Sequence, residues 1–455
     1  MLTEERTEFG RAARSAGVLT AGRQIGAVVL TAGVLLLPRF VGDRDLSPFL
    51  WVYFAQLLVT SLLNLGLERH TTRAVAGHAS PAATLGAALI GRAATAVATP
   101  VALAVVLYLV RVQLPLGAWV GATVWTLAVQ FQGVLFAALR AAGHATAEAT
   151  IALTGRLVQT AVLLSVAMIG ADVVRLVAAV AGIEVIVTAV AGVLAARRVG
   201  VSLGSRLPYR RLAVYAVLEI SAFAYLRADL VIVGRLLGSD RGATYGLGYR
   251  VVDAMVSLAT PALLVLFAYA SSQTARGAAL AETRRRCQSL LPQVGVVLAA
   301  IAIVAIGPLA TLLTGLEPAV PALRILLASV PLTYLIGVEA LLLSAEDRNA
   351  PVLITGAVAL GASIVLNVAL VPHFAMLGAA AALVVTEVIQ VAGLASRSAA
   401  STASAGRLLP LVALLLGGAI AINLGAGVLA AAMLLVAAAG AAVVFGSGVR
   451  DTVTA

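Results

Sequence analysis

The sequence predicts an all-α polytopic membrane protein: about 14 transmembrane helices, forming two six-helix lobes related by a pseudo-two-fold along the membrane normal, plus a C-terminal helix pair. Four observations lead there. Of the 455 residues, 61% are hydrophobic and 11% charged, against about 25% charged in soluble domains; such a chain cannot clothe a water-facing surface. Apolar runs of about 20 residues, the length that crosses a bilayer as a helix, recur throughout. The ten-residue alternating segments of a barrel are absent, which leaves helices to satisfy the backbone in lipid. Finally, paired landmarks recur at offsets of 196–204 residues.

Taken in order, the spans fall near 17–37, 47–66, 82–109, 117–138, 150–170, 173–195, 212–236, 243–270, 288–311, 322–344, 350–371, 377–396, 408–425 and 427–446. The first follows Arg6, Arg11 and Arg14 with no small-residue cleavage site leading into a soluble domain, so it reads as a retained span. Arginine then assigns the sides. With the N-terminus inside, the inner segments carry 19 arginines, among them Arg69, Arg140, Arg197, Arg198, Arg210, Arg211, Arg284, Arg285, Arg286 and Arg348. The outer segments carry six: Arg39, Arg44, Arg111, Arg175, Arg235 and Arg241. The chain is therefore expected to be N-in and C-in in a cytoplasmic (inner) membrane, with every outer link short. Short outer links argue against a membrane-bound sugar polymerase, and no feature marks a bare scaffold.

The recurring landmarks divide the chain. Pro38-Arg39 through Arg44 is matched by Gly234-Arg235 through Arg241, Arg140 to His144 by Ser344 to Arg348, and the stretch around Glu184 by that around Glu387. Six spans separate the copies, an even number, so the copies share one orientation. The expected domains are 1–195, a basic linker at 196–211, 212–396, and a C-terminal segment at 397–455. Two lobes with ionisable groups between them are a carrier's architecture, with the substrate held at mid-depth and exposed to each side in turn.

The charges inside the spans carry the chemistry. The stretch Tyr209–Ser272 sets Glu219, Arg227 and Asp229 in one apolar span and Arg250 and Asp253 in the next. A charge at bilayer centre costs at least about 2.5–3.5 kcal/mol and so faces a cavity or a partner. All 31 basic residues are arginine; each is a permanently charged fork suited to phosphate or carboxylate. Arg156, Gln159 and Thr160 share a face that could line a cavity, or Arg156 could pair with Glu184. Arg92 lies in the third span. Arg250 and Asp253, three apart, could pair on one helical face; Asp229 could pair with Arg250 or bind a coupling ion, with Glu219 as the other acid for that role. Glu339, Glu387 and Arg324 are second-half candidates of the same kind. His70, His78, His144 and His373 fall in loops without metal-ligand spacing, and the lone Cys287 excludes an internal disulfide. No nucleotide-binding loop, paired-histidine zinc pattern or nucleophile elbow is present, so neither catalytic residues nor a resident cofactor or metal is expected. The net charge of +11 follows membrane topology and implies no nucleic-acid partner.

One segment reads Arg227-Ala-Asp229-Leu-Val-Ile-Val-Gly234-Arg-Leu-Leu-Gly238, followed by Ala243-Thr-Tyr245-Gly-Leu-Gly-Tyr249-Arg250 and, further on, Pro261. Another reads Leu366-Asn367 through Pro372-His-Phe374-Ala375 to Gly378. On these residues the chain, over roughly 15–400, resembles the polysaccharide flippases of the multidrug/oligosaccharidyl-lipid/polysaccharide exporter superfamily. It departs from them at Phe374-Ala375, where members often have Tyr-Gly. The resemblance implies flipping of an undecaprenyl-pyrophosphate-linked oligosaccharide for surface polysaccharide, with membrane lipids and other polysaccharide-assembly membrane proteins as partners. It also implies a cavity-facing arginine in the first span, Arg23, where the alternative is snorkelling to the interface. Arg23, Arg250, Arg156 and Arg92 are then the expected substrate-binding residues. Asp229, Glu219 and Asp253 would serve a coupling sodium ion or proton, or ion pairs. Two other readings stay open, a peptidoglycan-precursor (lipid II) flippase and a cation-coupled multidrug exporter of the same superfamily.

Overall fold

The computed structural model describes residues 21–22, 24–76, 80–202, 216–217, 227–259, 263, 281–313, 315–346, 348–396 and 399–453. Every regular element among them is helical. Seven of these helices are long and apolar enough to cross a membrane, or up to nine if each of two bent pairs is one span. The chain forms two compact units, one of Met1–Arg227 with Gly238–Ala243 and one of Ala228–Leu237 with Thr244–Ala455.

In the first unit an apolar helix, α1 (Gln24–Arg39), precedes α2 (Asp43–Leu62), whose Asp43 and Asp45 favour the positive end of its dipole. A short polar helix, α3 (Leu67–Ala76), occupies what the sequence suggests is a loop and carries His70. Its polar, amphipathic composition hides it from a search for spans. The third expected span is two helices, α4 (Pro81–Ala96) and α5 (Thr99–Leu109), bent by 45°. Pro100 stands in the first turn of α5, where proline starts a helix but cannot continue one through its own amide. Three long helices follow, α6 (Leu116–Ala141), α7 (Ala145–Met168) and α8 (Val173–Arg198). Asp172 caps α8 by accepting from the Arg175 amide at 2.9 Å. The core sets Trp125 against Phe49 and Tyr53, with ring centroids 6.4 and 5.6 Å away. Trp51 donates its indole N–H to the Ser239 carbonyl at 2.7 Å.

Glycines set how closely α1 lies on α7. A Cβ on Gly22 would meet Ala149 at 3.3 Å, one on Gly26 would meet the Arg156 side chain at 3.2 Å, and one on Gly33 would meet Thr160 at 2.5 Å. Both series climb together, so α1 and α7 run parallel, as first and fifth spans of one topology must.

The second unit contains all but the first residue of the helical stretch 227–237 (α9) and most of α10 (Ser239–Ser257). After α11 (Ala281–Leu312), the tenth expected span is again a bent pair. Its halves are α12 (Val320–Leu327) and α13 (Val330–Ala345), with a 47° bend and Pro331 just past it.

The helix α14 (Asn349–Ala395) has 47 residues but contains a non-helical residue, Ala375, at φ 51° and ψ −133°. It turns back on itself there. A Cβ on Gly378 would lie 2.5 Å from the Leu370 carbonyl oxygen, and one on Gly393 would lie 2.7 Å from the Thr355 methyl. Residues eight apart in a straight helix are about 12 Å apart. Both pairs are centred on position 374, as an antiparallel hairpin requires, so α14 folds as two antiparallel arms that meet at Ala375. Then α15 (Ala399–Asn423) and α16 (Gly427–Val453) form a second hairpin, with Gly418 against Leu434 and Gly440 against Leu411.

Candidate functional site

Each unit buries a polar cluster among its apolar helices. In the first unit the centre is Glu184, near the middle of α8 and 3% exposed. Arg156 of α7 places Nη1 2.7 Å from its Oε1, and the Gln132 amide of α6 donates to its Oε2 at 3.2 Å. The same Arg156 nitrogen donates to Gln159 Oε1 at 2.6 Å. The Arg156 side chain remains 32% exposed, so its fork is held at one end and open at the other. The expected stripe of Arg156, Gln159 and Thr160 is present, and so is the ion pair that the sequence offers as its alternative.

Arg92 stands elsewhere in this unit. It is fully buried, donating from Nη1 to the Leu63 carbonyl at 2.8 Å and from Nη2 to Asn64 Oδ1 at 2.6 Å. It closes the C-terminal end of α2, where the last carbonyls of a helix lack intrahelical partners.

In the second unit Asp229 of α9 is fully buried. Its Oδ1 accepts from the Leu230 amide and its Oδ2 from the Tyr245 hydroxyl of α10, both at 2.8 Å. Close enough for their charges to interact lies Glu387, 1% exposed on the returning arm of α14. Glu387 Oε1 accepts from the Thr333 hydroxyl at 2.7 Å, the Ser329 hydroxyl is beside it, and Oε2 is buried without a hydrogen-bond partner. Among the described residues no guanidinium neutralises Glu387. Burying a carboxylate is costly unless a proton or a cation joins it, and a hydroxyl lies against each of these two acids, Tyr245 on Asp229 and Thr333 on Glu387.

Arg250 and Asp253 of α10 are paired at 3.7 Å, Nη1 to Oδ2, with the Arg250 side chain 10% exposed. Asp229 thus meets Tyr245, and Arg250 meets its own helical neighbour. Arg284 joins Glu339 and Glu346 at 3.7 and 3.2 Å, and Arg324 donates to Asn423 Oδ1 at 2.8 Å. Arg23 and Glu219 lie outside the described residues, as do Pro261 and His78. Among the described residues no three histidine, cysteine or acidic side chains form a metal-holding group.

Sequence reasoning missed Gln132, Thr333 and Tyr245 as parts of these clusters. The signal was available: Gln132 and Thr333 are 201 apart, and Glu184 and Glu387 are 203 apart. In each unit a buried glutamate accepts a bond from a polar side chain earlier in the chain, 52 residues before it in one case and 54 in the other.

No family model matches the sequence, and no curated protein does either. Solved structures do match. A structure described as the lipid II flippase MurJ in an inward closed conformation superposes with a TM-score of 0.72 at 8% identity, covering 96% of this chain and 99% of the other. An inward-facing multidrug resistance MATE family transporter of the MOP superfamily gives 0.59 at 12% identity, covering 86% and 98%. A MOP superfamily transporter from Pyrococcus furiosus, described by the reverse polarity of its binding pocket, gives 0.56 at 14%, covering 86% and 96%. The chain is a multi-span membrane protein that shares the fold of MOP-superfamily transporters.

Proposed function

We propose that this protein flips an undecaprenyl-pyrophosphate-linked oligosaccharide across the cytoplasmic membrane by alternating access of two lobes, serving surface polysaccharide assembly. It is an exporter in its own right and not an enzyme, with its N- and C-termini inside. The observation that carries this reading is the Arg156–Glu184 pair: a mid-span guanidinium anchored at 2.7 Å on one nitrogen and a third exposed at the rest. Anchoring fixes the fork, and a fixed, always-charged fork suits a pyrophosphate head. By resemblance Arg250, in the second unit, and Arg23, outside the described residues, are kept as substrate-binding residues. Arg92, fully buried with both of its Nη groups bonded at the end of α2, is assigned a positioning role there and no contact with the head.

The coupling ion, sodium or a proton, is assigned to Asp229 and Glu387. The contrast between the units supports this. Glu184 has a permanent cation against it, whereas Glu387 has a second acid nearby and an oxygen with no partner. Glu219 and Asp253 remain with the coupling group as ion-pair residues.

A second reading, flipping of lipid II itself, is favoured by the extent of the likeness to the flippase described for that substrate. The multidrug exporters of the same fold draw support from the buried acids. One experiment separates the three: delete the gene and analyse the lipid-linked intermediates. Accumulated oligosaccharide-lipid with normal peptidoglycan precursor supports the first, accumulated lipid II the second, and neither, with raised drug sensitivity, the third.

A further inference from the structure

The phenol of Tyr245 joins Asp229 to the helix that carries Arg250. It donates to Asp229 Oδ2 at 2.8 Å from a fully buried position, and its ring lies 6.0 Å from that of Tyr249, beside Arg250. Around it α10 reads Gly242-Ala-Thr-Tyr245-Gly246-Leu-Gly248-Tyr249-Arg250. Three glycines in so short a stretch weaken the helix on its own account, so its shape depends on what holds it from outside. One of them, Gly248, lets Leu323 of α12 approach to where a Cβ would be 2.8 Å away. Another hold is the hydrogen bond to Asp229.

We propose that Tyr245 is a positioning residue, passing the cation occupancy of Asp229 and Glu387 to the turn of α10 that presents Arg250. The proposal rests on the coupling reading above. A phenol donating to an ionised carboxylate makes a charge-assisted bond, about twice as strong as a neutral one. A proton or a sodium ion on the carboxylates removes the charge that Tyr245 donates to, and α10 loosens around its glycines. Arg250 and Asp253 are paired within the same helix, so they move with it. Among the groups bearing on Asp229 are Tyr245 from α10 and Glu387 from α14, with Arg227 two residues earlier on its own helix.

The test is hydrogen exchange of peptides within 244–257, using the full-length protein in lipid nanodiscs. Sodium is compared with choline at one pH, and two pH values bracketing neutrality are compared in choline; the two arms tell a sodium ion from a proton. In the wild type, occupancy by one of them speeds exchange of these peptides by roughly threefold to tenfold. Tyr245→Phe exchanges at the fast rate in every condition, and Tyr249→Phe keeps the wild-type response. A response surviving in Tyr245→Phe, or none in the wild type, overturns the proposal. Should Tyr245→Phe fail to fold, Asp229→Asn with Tyr245 intact is read instead: fast exchange in all conditions supports the link, and a wild-type rate overturns it. Exchange requires no substrate, so a failed glycan assignment and a failed Tyr245 link are distinguishable.

Discussion

Arg156 Nη1 lies 2.7 Å from Glu184 Oε1, and Gln132 holds the other oxygen of the same carboxylate at 3.2 Å. Removing the acid therefore strands the Gln132 amide and leaves Arg156 with Gln159 as its acceptor but no counter-charge. Glu184→Ala is expected to cost about 2–4 kcal/mol, because the buried amide loses its acceptor and the guanidinium its charge partner. Arg156→Ala should cost at least as much, about 3–5 kcal/mol, since it leaves the buried Glu184 carboxylate without its counter-charge. In the double variant the two losses should fall short of additive by about 1–2 kcal/mol. Thermal melts of the four proteins in one detergent measure this, and strict additivity would rule out the pair as an energetic unit.

The clusters were legible in the sequence only as far as their residue types are rare in lipid. Arg156 and Asp229 stand out in apolar runs because each has to be justified against a large insertion cost. Gln132, Thr333 and Tyr245 do not stand out, since a lone amide or hydroxyl in a span is cheap and often bonds its own helix. Their partners become visible only when helices distant in sequence are laid side by side. The spans were legible for the same reason, apolar length being a strong signal. The 45° and 47° bends were harder to read, although Pro100 and Pro331 were in plain view, because proline is also tolerated inside straight spans such as α11, with Pro292 and Pro308.

If Asp229 and Glu387 share a cation, neutralising either acid should uncouple transport from its driving gradient. Asp229→Asn and Glu387→Gln are each expected to abolish sodium and proton sensitivity in liposomes. Glu387→Gln should also hold or raise thermal stability, because it removes a buried charge whose Oε2 has no partner. Gradient sensitivity that persists in both variants would sink the coupling assignment.

Arg250 is paired within its own helix, three residues from Asp253, so its loss should disturb packing little. Arg250→Ala is expected to insert and fold, at a cost of about 1–3 kcal/mol for a mostly buried pair, yet to lose glycan export. The check is a strain carrying only this variant, assayed for surface polysaccharide and for membrane-inserted protein. Normal polysaccharide would free Arg250 from any substrate role.

Ala375 holds the turn of α14 at φ 51° and ψ −133°, a backbone conformation that glycine adopts freely and a residue with a Cβ does not. Its neighbours leave no way round: Gly378 already presses on the Leu370 carbonyl, so the arms are as close as backbone permits. Strain of this kind costs of order 1–3 kcal/mol. Ala375→Gly removes it, against about 0.5–1 kcal/mol of extra unfolded-chain entropy. The balance is a gain of about 1 kcal/mol, read as a rise of roughly 1–3 °C in Tm. The same exchange at Ala359, fully buried in the first arm of α14, should lower Tm instead, because mid-helix glycine costs about 1 kcal/mol. Opposite signs at two alanines of one 47-residue helix would identify Ala375 as the strained hinge of the hairpin, and a fall in Tm at both would remove the strain from the account.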